Sequence, residues 1–492
     1  MSPIPHDRII ALNEAPLASG RDMVLYWQTT ARRTRSNFAL QHAIDCARTL
    51  GKPLVVLEAL RAGYRWASAR FHHFAIDAMV DNAAAYATAG VRHYAYVEPV
   101  AGAGKGLLGS LARHACLVVT DDYPEFFLPR MAHAAAAQLG AIGVRLEAVD
   151  GNGILPMRAA GKAHVYAHQF RRHVQRLASE HLAHVPETHP LRRARALVAP
   201  SAGLARTLDD ITTRWPAAST SILSGELAGL AIDHSVAPVA ARGGERAAQR
   251  TLARFIDERY DRYAARRNDA IDDASSGLSP HLHWGFLSAH DVFAAVAERE
   301  RWSIGKIGFR PTGRRDGWWG VSANGDAFLD QLVTWRELGF NGALYIPAHD
   351  TFDSLPPWAR ATLVAHDADQ RPNATTLDAL DAGETYDPLW NAAQGQLRAE
   401  GRIHNYLRML WGKKILEWSP DPRTAFAWML HLNNKWAVDG RDPNSTSGIA
   451  WVMGRYDRPW APERPIIGVV RAMSSTNTGR KMKVRGYIER YG

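Results

Sequence analysis

Short, unbroken apolar runs alternate with helix-period segments over the first 150 residues. The runs at 23–27 (MVLYW), 53–60 (PLVVLEAL), 93–97, 116–120 and 144–149 read as buried strands. Between them, 37–50, 68–90, 106–114 and 130–139 carry the pattern of helices. Strand alternating with helix predicts a parallel sheet wrapped by helices, with ligands beyond the strand carboxyl ends. No G-x-G-x-x-G follows the first strand, so an NAD-binding role is not supported.

The pattern changes near 185. Residues 185–244 are punctuated by Pro186, Pro190, Pro200, Pro216, Pro238, Gly243 and Gly244, and read as a connector. From Glu245 onward apolar positions such as Leu252, Phe255, Ile256 and Tyr263 recur at helical spacing. The expected organisation is therefore an α/β Rossmann-like domain over 1–184, a connector over 185–244 and a larger all-α domain over 245–492. Neither an internal repeat nor a low-complexity tract is visible.

Composition narrows the chemistry. Of 492 residues only two, Cys46 and Cys116, are cysteines. Two thiols cannot complete an iron–sulfur cluster or an all-cysteine zinc site, and no metal site is expected. Their separation along the chain fits a reducing compartment. There is no run of eighteen apolar residues and no apolar block in the first sixteen, so a cytoplasmic protein without a membrane span is expected. The net charge of +10, from 59 basic and 49 acidic residues, favours a polyanionic partner. Sixteen tryptophans are unusual, and their positions must decide between packing and chemistry.

Three blocks carry candidate chemistry. The first runs from Tyr263 through Arg267-Asn-Asp to Ser275-Ser-Gly277-Leu278-Ser279-Pro-His-Leu-His283. Hydroxyls and free N–H groups at such a turn could cradle a phosphate, and an ordinary loop with a serine cap would look the same. The second runs from Phe328 through Gln331, Trp335, Arg336 and Glu337 to Leu338, on an expected amphipathic helix. Trp335 could be core, and the two charges could be a solvated face. The third begins Trp390-Asn-Ala-Ala-Gln394. It continues with His404, Arg408, Trp411, Lys413, Lys414 and Trp418, then Leu432-Asn433-Asn434-Lys435-Trp436 and Asp439-Gly-Arg441-Asp442-Pro-Asn444. It ends with Trp451, Asp457-Arg458 and Glu463-Arg464-Pro465. Trp411 and Trp418 are seven apart and share a helix face. A packing stripe would do the same, but this stripe is made of indoles.

The W-N-A-A-Q segment, the R-M-L-W-G-K-K-I-L-E-W helix and the L-N, D-G-R-D-P-N and E-R-P segments resemble those of the class II cyclobutane pyrimidine dimer photolyases. The S-G-L-S-P-H-L-H and R-N-D segments are also similar, as is Tyr26-Trp27 in a strand leading to N-F-A-L. The likeness is dense from Glu245 onward and looser before it. It implies a U-shaped FAD in the helical domain, held by Tyr263, Ser275, Gly277, Leu278, Ser279 and Asn444, with Asn433 beside flavin N5. An Arg408–Asp439 ion pair would lie near the ring system. It implies a tryptophan wire running from Trp411 at the flavin through Trp390 to Trp418 nearer the surface. It implies light-driven repair of a flipped-out pyrimidine dimer in DNA. Trp335 and Trp451 would pack against the dimer, and Asp457 and Arg458 would lie near the opening it leaves. Arg441 and the tail residues Arg471, Arg480, Lys481, Lys483 and Arg485 would meet phosphates. A deazaflavin or folate antenna in the α/β domain is an analogy of the same kind, and a monomer is expected.

Three positions depart from the family pattern. Gln331 stands where a glutamate usually meets the pyrimidine dimer, and an amide can donate and accept but carries no charge. The loop from Trp451 to Asp457 is one residue shorter, and Lys435-Trp436 replaces Lys-Tyr. Gln331 favours the alternative of a cryptochrome-like blue-light photoreceptor. The short stretch after the E-R-P loop is expected to argue against it.

Overall fold

A computed structural model of the chain describes residues 4–272, 274–482 and 484–492. It divides into two compact units woven from alternating stretches of chain. The first takes Met1–Ala159, Ala178–Ala253 and Leu278–Ala295; the second takes Ala160–Leu177, Arg254–Gly277 and Val296–Gly492.

The first unit is built on six strands: β1 (Ile9–Ala11), β2 (Met23–Gln28), β3 (Leu54–Leu60), β4 (Arg92–Val97), β5 (Ala115–Asp121) and β6 (Arg145–Val149). Their order is β1-β6-β5-β2-β3-β4, parallel throughout except β1, which runs antiparallel to β6. All five strands expected from apolar runs are present. The sixth, β1, is only three residues long and half-buried, too short to stand out as a run. Alternate residues of one strand point to opposite faces. Leu25 and Trp27 of β2 join one apolar cluster with Leu57, Leu111 and Leu146, whereas Val24 and Tyr26 join another with Phe38, Val56 and Val119. A strand buried on both faces has no polar alternation, which is why these strands read as continuous apolar runs.

Four helices follow the expected segments: α1 (Phe38–Leu50), α2 (Ala69–Thr88), α3 (Leu107–Ala112) and α4 (Leu128–Ala141). The side chain of Asn37 caps α1 by accepting from the Leu40 amide at 3.0 Å, and Gly51 ends it at φ +63°. The 185–244 segment is less irregular than its prolines imply. It holds the helix Ala202–Arg214 and two single turns, Leu191–Ala194 and Thr220–Leu223. Its Leu204, Leu208 and Trp215 sit in the same apolar cluster as β2.

The carboxyl ends of β2, β3 and β5 hold a closed polar network. Asp121 accepts from the Tyr26 hydroxyl at 2.7 Å and from the amides of Thr29, Thr30 and Ala31 at 2.8–3.0 Å. Glu58 is ion-paired with Arg32 at 3.1 Å and also meets Asn82 and His93. Its carboxyl is held below the usual range by these partners, against a burial cost that acts the other way.

The second unit is helical. Three of its helices share one start: Asp387, Asp421 and Asp442 each cap a helix whose next residue is proline, giving Pro388–Glu400, Pro422–Trp436 and Pro443–Val452. The carboxylate takes orphan N–H groups of the first turn, and proline costs nothing there because its missing N–H would have no intrahelical partner. The helix Asn405–Trp418 follows Gly401, whose φ of +70° ends Pro388–Glu400 and turns the chain. Among the described residues no helix is long and apolar enough to cross a membrane.

Candidate active site

The helix Asn405–Trp418 presents Arg408 and Trp411 one turn apart, so they are neighbours on its surface. Arg408 donates to Asp439 at 3.0 Å, and both side chains are largely buried. Its guanidinium also reaches the Ser445 hydroxyl at 3.5 Å. That hydroxyl accepts from the amide of Asn433 at 2.9 Å. Ser445, on Pro443–Val452, thus ties together residues from two other helices and the turn after Trp436. Sequence reading missed it, although it directly follows the singled-out Asn444. Asn433 is buried and its amide also donates to Asn434. Its carbonyl oxygen accepts no hydrogen bond among the described residues. An amide oxygen without a donor on a buried residue, linked through Ser445 to a cation, fits a polar heteroaromatic ligand.

Of the other expected flavin residues, Tyr263 is buried against Phe255 and Phe328, with the Arg267 guanidinium 5.7 Å from its ring centroid. Burial pushes its phenol up. Ser275 and Gly277 are half-buried, Gly277 at φ +69°, and Arg259 holds the Ser275 carbonyl at 3.0 Å. Leu278 is buried and Ser279 starts the short helix Ser279–His283, both within the sheet-bearing unit. Asn444 is exposed, its backbone N–H bonded to the capping Asp442.

Behind Arg408 the indoles form a row. Trp411 and Trp390 are parallel within 4° at 6.4 Å, and Trp390 and Trp418 meet edge-on at 5.6 Å. The N–H of Trp411 donates to Gln394 and that of Trp390 to the Trp411 carbonyl, both at 3.0 Å. All three rings are core residues, 2%, 0% and 1% exposed. Each hides roughly 200 Å², worth about 5 kcal/mol at 25 cal/mol per Å². Packing alone therefore accounts for three buried indoles; their unbroken sequence of ring contacts is the additional fact. Trp418 is the ring of the three expected nearest the surface: it is itself 1% exposed, but it meets Tyr386, which is 60% exposed, at a ring distance of 5.2 Å, and it lines the open cavity described below.

Gln331 and Trp335 fall on a π-helical stretch, Asp330–Trp335, between the α-helices Ala323–Leu329 and Arg336–Tyr345. Such bulges re-aim side chains and recur at functional sites. Asp330 anchors this stretch, pairing with Arg171 at 2.8 Å and accepting from the Trp335 indole at 3.1 Å. Arg336 and Glu337 are buried, not a solvated face. Trp335 and Trp451 stack on each other, 4.4 Å apart and 12° from parallel, so each indole covers a face of the other.

Trp451 and Asp457 line an open cavity of about 670 Å³ together with Lys413, Arg464, Arg471 and Lys481. Asp457 accepts from the Trp460 indole at 3.0 Å. The guanidinium groups of Arg458 and Arg471 lie 4.7 and 5.0 Å from the Trp460 ring, a pairing that no sequence motif announced. Arg458, Arg471, Arg480, Lys481 and Arg485 are exposed; Lys483 lies outside the described residues. Arg441 is a correction. Its φ is +63°, and its buried guanidinium ties down the Asn434 carbonyl at 2.5 Å instead of facing solvent. An arginine spent on a backbone carbonyl inside the fold is not a surface phosphate contact.

No family model matches the chain. It is 30% identical over 489 residues to the deoxyribodipyrimidine photo-lyase of Methanothermobacter thermautotrophicus, covering 98% of each chain. It is 31% identical over 487 residues to the deoxyribodipyrimidine photo-lyase of Oryza sativa subsp. japonica, covering 94% of this chain and 86% of that one. Among solved structures it is similar to a class III photolyase from Agrobacterium tumefaciens. The TM-score is 0.68 at 20% identity, over 96% of this chain and 86% of the other. That match is a likeness of fold.

Proposed function

Since the chain belongs to the photolyase and cryptochrome family, we propose that it repairs cyclobutane pyrimidine dimers in DNA by light-driven electron transfer, as a class II-like enzyme. The reading rests chiefly on one observation. A cation–amide cluster, Arg408–Asp439–Ser445–Asn433, shares a helix with the first ring of a continuous indole row. We take 1–184 as the Rossmann-like domain, 185–244 as the connector and 245–492 as the FAD- and DNA-binding domain.

The donor set fits FAD. Tyr263, Ser275 and Gly277 would hold its phosphate and ribityl end, and Asn433 and Arg408 its ring. Reduced FAD, when bound, would supply the electron that opens the cyclobutane ring under light. Arg408 sets a fixed positive charge where negative charge must be tolerated, and Asp439 keeps that guanidinium oriented. Asn433 offers a carbonyl oxygen to a ring N–H, and Ser445 fixes the amide's rotation. Trp411, Trp390 and Trp418 would relay electrons inward to keep the cofactor reduced. A deazaflavin or folate antenna would belong to the α/β domain by the same family likeness.

For the lesion, Trp335 and Trp451 would part and take the flipped pyrimidines between them. One indole–indole contact is exchanged for two indole–base contacts, each worth about 1–3 kcal/mol, so the exchange is favourable. The exposed arginines and lysines around the 670 Å³ cavity would hold the backbone phosphates. The test is direct. FAD-loaded, reduced protein and UV-irradiated oligothymidylate are illuminated with blue light, and dimers are counted. Loss of dimers in light but not in darkness is expected; unchanged dimers under light overturn the reading. Gln331 favours a second reading, a cryptochrome-like photoreceptor that binds FAD without efficient repair. It predicts flavin photoreduction with no dimer loss.

A further inference from the structure

The indole row does not end at Trp418. Trp418 is 1% exposed, so a positive charge carried outward along the row would stop on a ring that is itself almost wholly covered, in the wall of the cavity. The Lys414 ammonium, 5.8 Å from the Trp418 ring centroid, is itself paired with Glu417 at 2.7 Å. A positive charge on a covered ring is costly, so the charge would tend to return inward. The next ring outward is Tyr386. Its centroid is 5.2 Å from that of Trp418, closer than any spacing within the row, and 60% of the residue faces solvent.

The hydrogen bond between them has a definite direction. The Trp418 indole N–H donates to the Tyr386 hydroxyl oxygen at 3.2 Å. The phenol is the acceptor, so its own O–H is left to point into water. Trp390 and Trp411 donate instead to a buried carbonyl and a buried amide, which offer no exit for a proton. Tyr386 is held in place although exposed. Thr385 on one side bonds Asn391 through its amide and hydroxyl at 3.0 and 2.6 Å, and Asp387 on the other caps the helix that carries Trp390.

We infer that Tyr386 is the terminal electron donor of the row. When an excited, oxidised flavin has drawn an electron through Trp411 and Trp390 and left Trp418 as a radical cation, Tyr386 gives Trp418 one electron. In the same step its O–H bond breaks and the proton passes to water. Trp418 returns to neutral indole, and Tyr386 becomes a neutral phenoxyl radical at the surface. An external thiol then returns a hydrogen atom to the phenoxyl and leaves as a thiyl radical. The neutral phenoxyl needs no counter-charge, which a cation on Trp418 would. This inference rests on the wire proposed above, and its test separates the two.

Oxidised, FAD-loaded protein is flashed with blue light, without added thiol, and followed by transient absorption. Parallel samples contain a nitroso spin trap, and trapped radicals are located by peptide mass spectrometry. Phenoxyl absorption succeeding the tryptophan-radical band is expected, with an adduct on the peptide containing Tyr386. Tyr386→Phe keeps the ring contact and should lose both signals, leaving a tryptophan radical that decays by recombination. Tyr386→Trp should restore a long-lived radical, now with an indole spectrum. A phenoxyl band and adduct that persist in Tyr386→Phe would overturn the inference. So would their absence from the parent protein when its tryptophan radical forms and Trp390→Phe abolishes that radical. If Trp390→Phe leaves flavin photoreduction unchanged, no charge travels this row, and the wire fails together with its end.

Discussion

Lys413 is buried in the helix Asn405–Trp418, with its ammonium on the Val452 carbonyl. Burial drives its pKa down from 10.5 to about 7, the Arg471 guanidinium adds to the fall, and Asp457 and Glu417 oppose it. The folded pKa lies below the unfolded one, so the unfolded chain binds more protons between the two values. Stability should therefore rise with pH across that window. Below about pH 7 both states carry the proton and the full cost applies: roughly 3.5 pKa units at 1.36 kcal/mol each, or about 5 kcal/mol as a ceiling. By about pH 9 some 2 kcal/mol of that cost remains. Lys413→Met keeps the bulk and removes the charge; it strands the Val452 carbonyl, at a pH-independent cost of about 1–3 kcal/mol. The variant's advantage over the parent should shrink by about 2–3 kcal/mol between about pH 6 and pH 9. For a cooperative unit of roughly 200 residues each kcal/mol moves Tm by about 2–4 °C, so the gap in Tm should narrow by about 5–10 °C. Paired thermal melts of the two proteins cancel every other titration. A gap that stays constant with pH would refute the reasoning.

Three further outcomes follow from the site. Gln331→Glu should raise dimer-repair yield about fivefold, the difference between a neutral and a charge-assisted hydrogen bond of about 1 kcal/mol, measured by dimer loss per absorbed photon; no gain removes Gln331 as the limiting feature. Trp335→Ala or Trp451→Ala should weaken binding to dimer-containing DNA by about 1–3 kcal/mol, roughly 5- to 150-fold in Kd, in a mobility-shift titration with undamaged DNA as the reference. Arg408→Gln removes the cation beside the proposed ring site and breaks its ion pair with Asp439, so the flavin midpoint potential should fall by about 30–60 mV in a spectroelectrochemical titration.

Much of the sheet-bearing unit was legible because burial on both faces leaves so plain a trace: strands β2 to β6 and helices α1 to α4 all follow the apolar pattern. β1 was not, since three half-buried edge residues make no pattern. The three Asp-Pro pairs at 387–388, 421–422 and 442–443 were available as helix starts and were not used. The π stretch Asp330–Trp335 was not legible, because a shift of phase confined to six residues is too short to register in a hydrophobic period. Within the site, Arg408, Asp439 and Asn433 were found from motifs, and the fold brings them together through Ser445. Arg441 was misjudged because charge predicts exposure only until a buried carbonyl claims it. Tyr386 was missed because it belongs to no motif; only the closing of a loop over Trp418 gives it meaning.

The weaving of the chain has a consequence for how the protein is made. The ribosome completes β1 to β6 by residue 149, yet the unit that contains them still lacks Leu278–Ala295. Meanwhile Ala160–Leu177, already synthesised, waits for partners that begin only at Arg254 and continue to the far end of the chain. Arg171 finds Asp330 only after about 160 further residues have emerged. Neither unit can be finished before the other is well under way. A gene cut at any single point yields a fragment with an incomplete core, and splitting the protein into working halves requires pieces that are exchanged rather than merely separated.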